Sequence, residues 1–455
     1  MARTFEERSR ACLRNGRGVF SRTVVRALFA LAAVGAWWQL AASPAGAQGI
    51  YLPFVGPTNQ SMGGAAAACP IDAIGALNWN PGSISGLASN EVAFGLGLAL
   101  PTTSLDSTIN ANALGPGNPP INLAGTSESE PGVCPVPTIG FVHRNPGSAW
   151  TLGVGIFGVG GFSANYPASA TNPISLPQPN GLGELHAKVE LYQVTPTISY
   201  ALSERLSLGV APVLNLANFN GDPFFLAPPN ADGTYSPGFG TRTAFGGGFQ
   251  LGTYYITESD FRVGLSYKSP QWIEPFRFNS QDENGLPRFF KYNFDLPSIT
   301  TLGFAYSGFE RWLFAFDMRY FDYANADGFS QQGFLPTGAV AGLGWKSIFS
   351  FAPAVQWSAT DRLTLRAGYT FNENPISSGQ TFFNVVSSLI IEHWLSFGAT
   401  YRWNQRVSST IAYSHGFENS VTGPIYHPVF GPLAGTSVTE RVSADMLNAG
   451  ITVHF

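Results

Sequence analysis

Residues 346–374 read KSIFSFAPAVQWSATDRLTLRAGYTFNEN: two alternating runs on either side of the two-residue turn Thr360-Asp361. In the second run Leu363, Leu365, Ala367, Tyr369 and Phe371 share one face, opposite Thr364, Arg366, Gly368, Thr370 and Asn372. A period of two places successive side chains on opposite faces of a strand. The stretch therefore predicts a tight β-hairpin with one apolar and one polar face, and Trp357 stands beside its turn.

The pattern recurs along the chain. Fourteen strands are predicted, over 90–100, 135–144, 149–162, 187–201, 205–219, 241–257, 260–277, 288–307, 310–323, 346–359, 361–374, 385–403, 405–417 and 442–455. Six connections are very short: 145–148, 203–204, 258–259, 308–309, 360–361 and 404–405. The other seven are longer and rich in Gly, Pro, Asn and Ser, and the two kinds alternate strictly. An up-and-down meander does this when one end faces a confined compartment.

A sheet with one apolar face also fits a soluble sandwich. The aromatic positions separate the two. Trp150, Tyr200, Tyr255, Phe261, Tyr306, Trp312, Trp357 and Trp403 all lie beside the short turns, hence at one end, where they would form an interfacial girdle. An even strand count closes the sheet and removes the free edges that lipid cannot satisfy. The expected fold is all-β, a fourteen-stranded antiparallel transmembrane β-barrel. Pro196, Pro212, Pro297 and Pro353 fall inside predicted strands and mark bulges or ladder gaps.

Composition agrees. Of 455 residues, 44% are hydrophobic and only 11% charged, against about 25% charged in a soluble domain. No apolar run after residue 50 is long enough for a spanning helix. Residues 1–47 read as a secretion signal: seven arginines, an apolar run from Ala27 to Ala42, then Ala45-Gly46-Ala47 as the cleavage pattern. The alternative is an uncleaved anchor. Cleavage leaves 17 basic and 26 acidic residues, about −9, which argues against nucleic acid as a partner. Cys69 and Cys134 remain, and the sequence leaves open whether they pair or stay free.

Between the leader and the first strand, residues 48–89 do not alternate. Met62–Leu87 is built from Gly and Ala, holds one short apolar run over 71–77, and ends on Trp79-Asn80-Pro81-Gly82. The expected organisation is a signal over 1–47, a compact segment over 48–89 and a barrel over 90–455.

With these features the chain resembles the FadL/TodX family of outer-membrane channels for long-chain fatty acids and other hydrophobic compounds. Asn80-Pro81-Gly82 stands where the family carries Asn-Pro-Ala, Gly82 being the departure. Residues 264–269 (GLSYKS), 365–369 (LRAGY), Asn374-Pro375 and the closing Phe455 match in order. The resemblance implies that 48–89 is a hatch inside the barrel and that the protein is a monomer in the outer membrane of a Gram-negative-type cell. It also implies recognition by the barrel assembly machinery through the strand ending in Phe455, contact with outer-membrane lipid, and a hydrophobic small molecule as ligand.

Other chemistry finds no support. Gly153–Gly158 matches G-x-G-x-x-G by letter, but no helix follows to face phosphates. The six histidines lack zinc spacing. Ser414 and His415 are neighbours on a strand and point apart, so no hydrolase dyad forms. No enzyme, cofactor or metal is expected.

Three groups of candidate site residues emerge. Gly158 and Gly160 interrupt the outward face of the third strand, and with Gly161 they stand where the family has a kink that opens the wall sideways; ordinary small-residue packing is the other reading. Phe224, Phe225, Tyr235, Phe239, Phe289 and Phe290 lie in long loops matching the family's outer ligand groove, or else cap the barrel mouth. Lys268, Arg319 and Arg366 fall on the lumenal face as candidates for an anionic head group, although Asp317 could satisfy Arg319 instead. A neutral ligand would need none of them. The functional expectation is passive, hatch-gated transport of hydrophobic molecules with lateral exit; the alternative is a porin-like or adhesive barrel.

Overall fold

The structure, a computed structural model, describes residues 48–111, 113 and 120–455. The leader expected over 1–47 lies outside them. Fourteen strands form the wall: β1 (Glu91–Ile109), β2 (Cys134–His143), β3 (Trp150–Tyr166), β4 (Leu185–Ala201), β5 (Leu206–Asp222), β6 (Arg242–Ile256) and β7 (Phe261–Lys268) make one half. The other half is β8 (Ile299–Tyr306), β9 (Trp312–Phe321), β10 (Ile348–Ser358), β11 (Leu363–Asn372), β12 (His393–Arg402), β13 (Val407–Gly423) and β14 (Thr436–His454). Each pairs antiparallel with the next. β1 pairs with β2 on one edge and with β14 on the other, from Glu91↔His454 to Ile109↔Thr436, so the sheet closes.

The alternation reads through to solvent exposure. Phe94, Leu96, Leu98, Leu447 and Ile451 point outward, while Asp317, Arg319, Arg366, Thr370 and Asn448 are buried inside. An apolar exterior of this extent belongs against lipid. At the short-turn end Trp150 packs on Tyr200 with centroids 4.4 Å apart, Trp312 on Trp357 at 5.8 Å, and Tyr401 on Trp403 at 4.8 Å. The first two are cross-strand pairs and the third lies along one strand end; together they make the girdle.

Several expected boundaries move. The seventh strand stops at Lys268, ahead of Pro270, and the eighth begins at Ile299. Residues Phe276–Gln281 and Pro287–Tyr292 instead pair with each other as a separate hairpin. Alternation identifies a strand but not its partner, and these two alternate as well as the wall does. Residues 385–392 precede β12 as irregular chain behind a 3-10 helix, Ser378–Asn384. β1, β13 and β14 run farther outward than expected. The outer part of β1 carries Thr102, Thr103, Ser104, Asp106 and Ser107 around a single apolar residue, the buried Leu105, so it rises above the apolar band and reads as loop.

The prolines fall where ladders lapse. Between β4 and β5 the pairing breaks between Val194↔Leu214 and Ile198↔Val210, with Pro196 and Pro212 on the facing strands. Pro353 sits in the gap between Phe351↔Phe371 and Ala354↔Gly368. Pro297 lies outside any strand, in the segment leading into β8. Both cysteines are free thiols: Cys69 is buried in a cluster with Ala305 and Leu313 of β8 and β9, whereas Cys134 opens β2.

Candidate functional site

Residues 48–89 fill the lumen and are almost entirely buried. Two short helices organise them: α1 (Pro57–Ser61), entered from Gly56 with Pro57 at its first position, and α2 (Ala73–Trp79). Asp72 caps α2 by accepting from Gly75 N at 3.2 Å. Asn80 ends α2 and caps the 3-10 turn Pro81–Gly86 by accepting from Gly82 N at 3.0 Å. Its amide also donates to Ala67 O at 2.7 Å and to Thr253 O of β6 at 2.8 Å. Asn80 therefore ties two turns of the segment to each other and to the wall.

Gly82 rests against β6: a Cβ there would stand 2.8 Å from Gly252 O. Alanine at this position would push the turn off the wall, a physical reason for the glycine.

Farther round the wall, β9 holds the segment by charge. The Asp317 carboxylate accepts from Ala66 N and Ala67 N at 2.9 and 3.1 Å. Arg319 pairs with Asp317 at 3.1 Å, donates to Gly64 O and to Pro53 O, and lies 3.5 Å above the Trp79 ring. Both side chains have no exposure, so each relies on these partners. At the short-turn end Glu91 accepts from Ala73 N, and its other oxygen is 3.2 Å from His454 Nδ1. Burial, then the proximity of Glu91, pushes the Asp72 carboxyl up to about 7.

The glycines of β3 sit at a bulge. The β3–β4 register shifts between Gly158 and Gly160, making Val159 the extra residue. Before it, odd-numbered Thr151 and Phe157 face inward; after it, even-numbered Ala164 and Tyr166 do. The β2–β3 ladder ends at Thr138↔Phe157, beside the bulge. In place of β2, the first residues of the lumenal segment pair with it: Leu52 N donates to Val159 O at 2.8 Å, and Gly161 N to Ile50 O at 2.9 Å. A Cβ on Gly160 would stand 2.1 Å from Ile50 O, so only glycine permits this approach. From the other side Tyr323 holds the same residues, its hydroxyl accepting from Ile50 N at 3.0 Å and donating to Gln48 O at 2.8 Å. Residues 48–52 thus form a strap across the lumen.

Above the strap, at the long-loop end, lies a cavity of about 40 Å³. Phe162, Phe219, Phe224, Phe276 and Phe294 dominate its wall, with His186, Tyr292 and Ser387 as the polar-bearing side chains. Phe224 is central: it packs on Phe278 at 4.3 Å and Phe290 at 4.7 Å.

Of the loop aromatics singled out from sequence, Phe224 and Phe225 line the cavity and Phe290 backs it. Tyr235 lies half-buried, its N donating to Gln178 Oε1 at 2.6 Å. Phe239 and Phe289 are exposed, 46% and 58%, away from the cavity. Phe219 and Phe276 escaped the sequence reading because they sit in runs that alternate like any other strand. The three lumenal cations are not gathered. Arg319 is spent on the segment, Arg366 donates to Gln356 Oε1 at 2.7 Å and Thr400 Oγ1 at 2.6 Å, and Lys268 donates to Gln193 Oε1 at 3.1 Å. Among the described residues no cluster of His, Cys, Asp and Glu could hold a metal.

A family model described as "Outer membrane protein transport protein (OMPP1/FadL/TodX)" matches residues 38–455. A search of curated proteins found no match. Among solved structures, the toluene transporter TodX of P. putida is similar at a TM-score of 0.64 and 17% identity, over 89% of this chain and 99% of that one. A FadL homologue of Pseudomonas aeruginosa gives 0.65 and 14%, over 90% and 100%. The toluene transporter TbuX of Ralstonia pickettii gives 0.61 and 16%, over 89% and 99%. At these identities the structures speak for the fold, the closed barrel already described. With the family model spanning the whole described chain, the protein belongs to the OMPP1/FadL/TodX family of outer-membrane transport proteins.

Proposed function

We propose that this chain carries hydrophobic small molecules passively across the outer membrane, with residues 48–89 as a hatch and residues 90–455 as the barrel. The observation that carries the reading is the strap: the hatch's first residues pair with the β3 bulge, directly below an aromatic cavity. A ligand lands on the outer loops, where Phe239 and Phe289 are exposed, and enters the cavity around Phe224 and Phe225. Displacement of the strap then uncovers the wall at Gly158, Gly160 and Gly161, beside the end of the β2–β3 ladder. Sideways exit suits an apolar molecule, which gains about 0.8 kcal/mol per CH₂ moved out of water. Asn80-Pro81-Gly82 keeps the lower hatch seated meanwhile.

The chain acts as a monomer without a catalytic step, and its last strand, ending in Phe455, is the segment offered to the assembly machinery. For an acidic ligand, Lys268 is the lumenal cation with most to offer, since it donates to the neutral amide oxygen of Gln193 whereas Arg319 holds the hatch. The test is uptake of a radiolabelled aromatic hydrocarbon and a labelled long-chain fatty acid by cells with and without the gene. Loss of neither uptake on deletion would sink the proposal. The porin alternative predicts large, steady ion conductance in a planar bilayer, which a seated hatch forbids.

A further inference from the structure

The aromatic cavity measures about 40 Å³, whereas an apolar cavity that takes up benzene measures about 150 Å³. A ligand therefore has to push part of the wall outward. Phe162, Val189 and Phe219 stand on paired strands, as Phe162↔Val189 and Val189↔Phe219 across β3, β4 and β5. Phe276 and Tyr292 stand instead on the hairpin of Phe276–Gln281 and Pro287–Tyr292, which among the described residues forms a separate two-stranded sheet. Arg288 joins that hairpin to the loop carrying Phe224, donating to Ser236 Oγ at 3.1 Å, while Ser236 O accepts from Phe224 N at 2.9 Å. The hairpin with this loop is the part of the wall that can yield.

The root of the hairpin is built into the barrel. Gln271 and Leu296 close it with two backbone hydrogen bonds of 3.0 Å. The Gln271 side chain is fully buried, and a Cβ on Gly248 of β6 would stand 2.5 Å from its Nε2, so that glycine keeps its place open. Its Oε1 accepts from Asn215 Nδ2 at 2.8 Å, and Asn215 Oδ1 accepts from Gln193 Nε2 at 2.8 Å. The Tyr51 hydroxyl, in the strap, lies beside Gln193. Four buried side chains thus run from the hairpin's root to the strap. Moving one amide of such a chain leaves the next buried and unpaired, so each holds its neighbour in place. We propose that Gln193, Asn215 and Gln271 are positioning residues through which a ligand in the cavity unseats the strap. The hairpin yields to admit it, Gln271 shifts with the root, and the strap loses its fit at Tyr51.

The proposal rests on the cavity being the ligand site and the strap the gate, and the experiment separates the two. Hydrogen exchange on the detergent-solubilised full chain is compared with and without saturating toluene. Calorimetry reads toluene binding, and heat-modifiable gel migration checks that each variant is a folded barrel. In the wild type, toluene should speed exchange across 276–292 and, at residues 50–52, by about fivefold, the factor for one hydrogen bond. Asn215→Leu removes the middle of the chain and leaves Lys268 its acceptor on Gln193. Toluene should still bind it within about threefold and still loosen 276–292, while its effect at 50–52 falls below about twofold. Gln271→Met should repeat this result and serves if the first variant does not assemble. Ser414→Ala, which breaks a buried 2.7 Å hydrogen bond to Ser396 on β12, should keep the full effect. The full effect at 50–52 in a folded Asn215→Leu or Gln271→Met barrel would overturn the proposal, as would its loss in Ser414→Ala. A strap already loosened in these variants without toluene would mark the amides as structural supports and overturn it too. Failure of toluene to bind the wild type, or to loosen its strap, would overturn the reading of cavity and gate, and the proposal with it.

Discussion

Replacing Gly160 by valine tests whether the strap and the wall are one mechanical unit. The new Cβ would stand 2.1 Å from Ile50 O and 3.1 Å from the Tyr51 Cα, and neither is a flexible side-chain end. The strap must retreat, losing the Leu52 N–Val159 O and Gly161 N–Ile50 O bonds of 2.8 and 2.9 Å. At about 0.5–1.5 kcal/mol each, these are worth roughly 1–3 kcal/mol together, a shift of about 5- to 150-fold in the unseated population. Hydrogen exchange followed by mass spectrometry should show the amides of residues 50–52 exchanging faster by that factor, while barrel peptides such as 442–454 stay protected. Gly158→Val is the control, because its Cβ would meet the Val136 side chain at 3.0 Å and not the strap. Unchanged protection at 50–52 in a folded Gly160→Val barrel would refute the reasoning: the strap would then owe its place to Tyr323 and not to the bulge.

Arg319→Met leaves Asp317 buried without its cation and frees the Gly64 and Pro53 carbonyls, which should destabilise the seated hatch by about 3–5 kcal/mol, read as protease sensitivity within 53–67. The Asp72 carboxyl, raised in the fold, binds its proton more tightly there than in the unfolded chain, so its contribution is fully present below about pH 4 and is lost as pH rises toward 7. Hatch protection measured between pH 4 and 8 should therefore fall with rising pH by at most roughly 1.4 kcal/mol per unit, and Asp72→Asn should flatten the slope. Phe224→Ala removes the ring that Phe278 and Phe290 pack on, and should lower the melting temperature of the outer loops by the equivalent of about 3 kcal/mol while weakening retention of aromatic ligands, both readable by calorimetry.

The wall was legible in the sequence because lipid imposes a period of two with an apolar outer face, as in Leu363, Leu365 and Ala367 of β11. Legibility ended where that constraint ends. Above the membrane band β1 and β14 pair through Ser104↔Arg441 and Asp106↔Thr439, polar on both sides, so nothing marked them as strand. The hairpin of 276–281 and 287–292 carried the right period but the wrong partner.

In the site, the lumenal position of Lys268, Arg319 and Arg366 followed from alternation alone. Their partners did not, because Pro53 and Gly64 reach Arg319 from more than 250 residues away, through backbone atoms that carry no sequence signature.

The seam between β1 and β14 has a consequence for the order of assembly. The lumenal segment joins β1 through Ala88, Ser89 and Asn90 alone, and Glu91, which closes the seam with His454, also holds the start of α2. The chain's first folded part and its last residues therefore meet at one point. Docking of the final strand and seating of α2 are therefore coupled, since the residue that pairs with His454 is the one that holds Ala73 N. With the ladder closed from β1 to β14, the segment has no open sheet edge to leave through. Any opening for a ligand has to be a local rearrangement inside a permanently shut ring, renewed at each passage without the barrel ever being reopened.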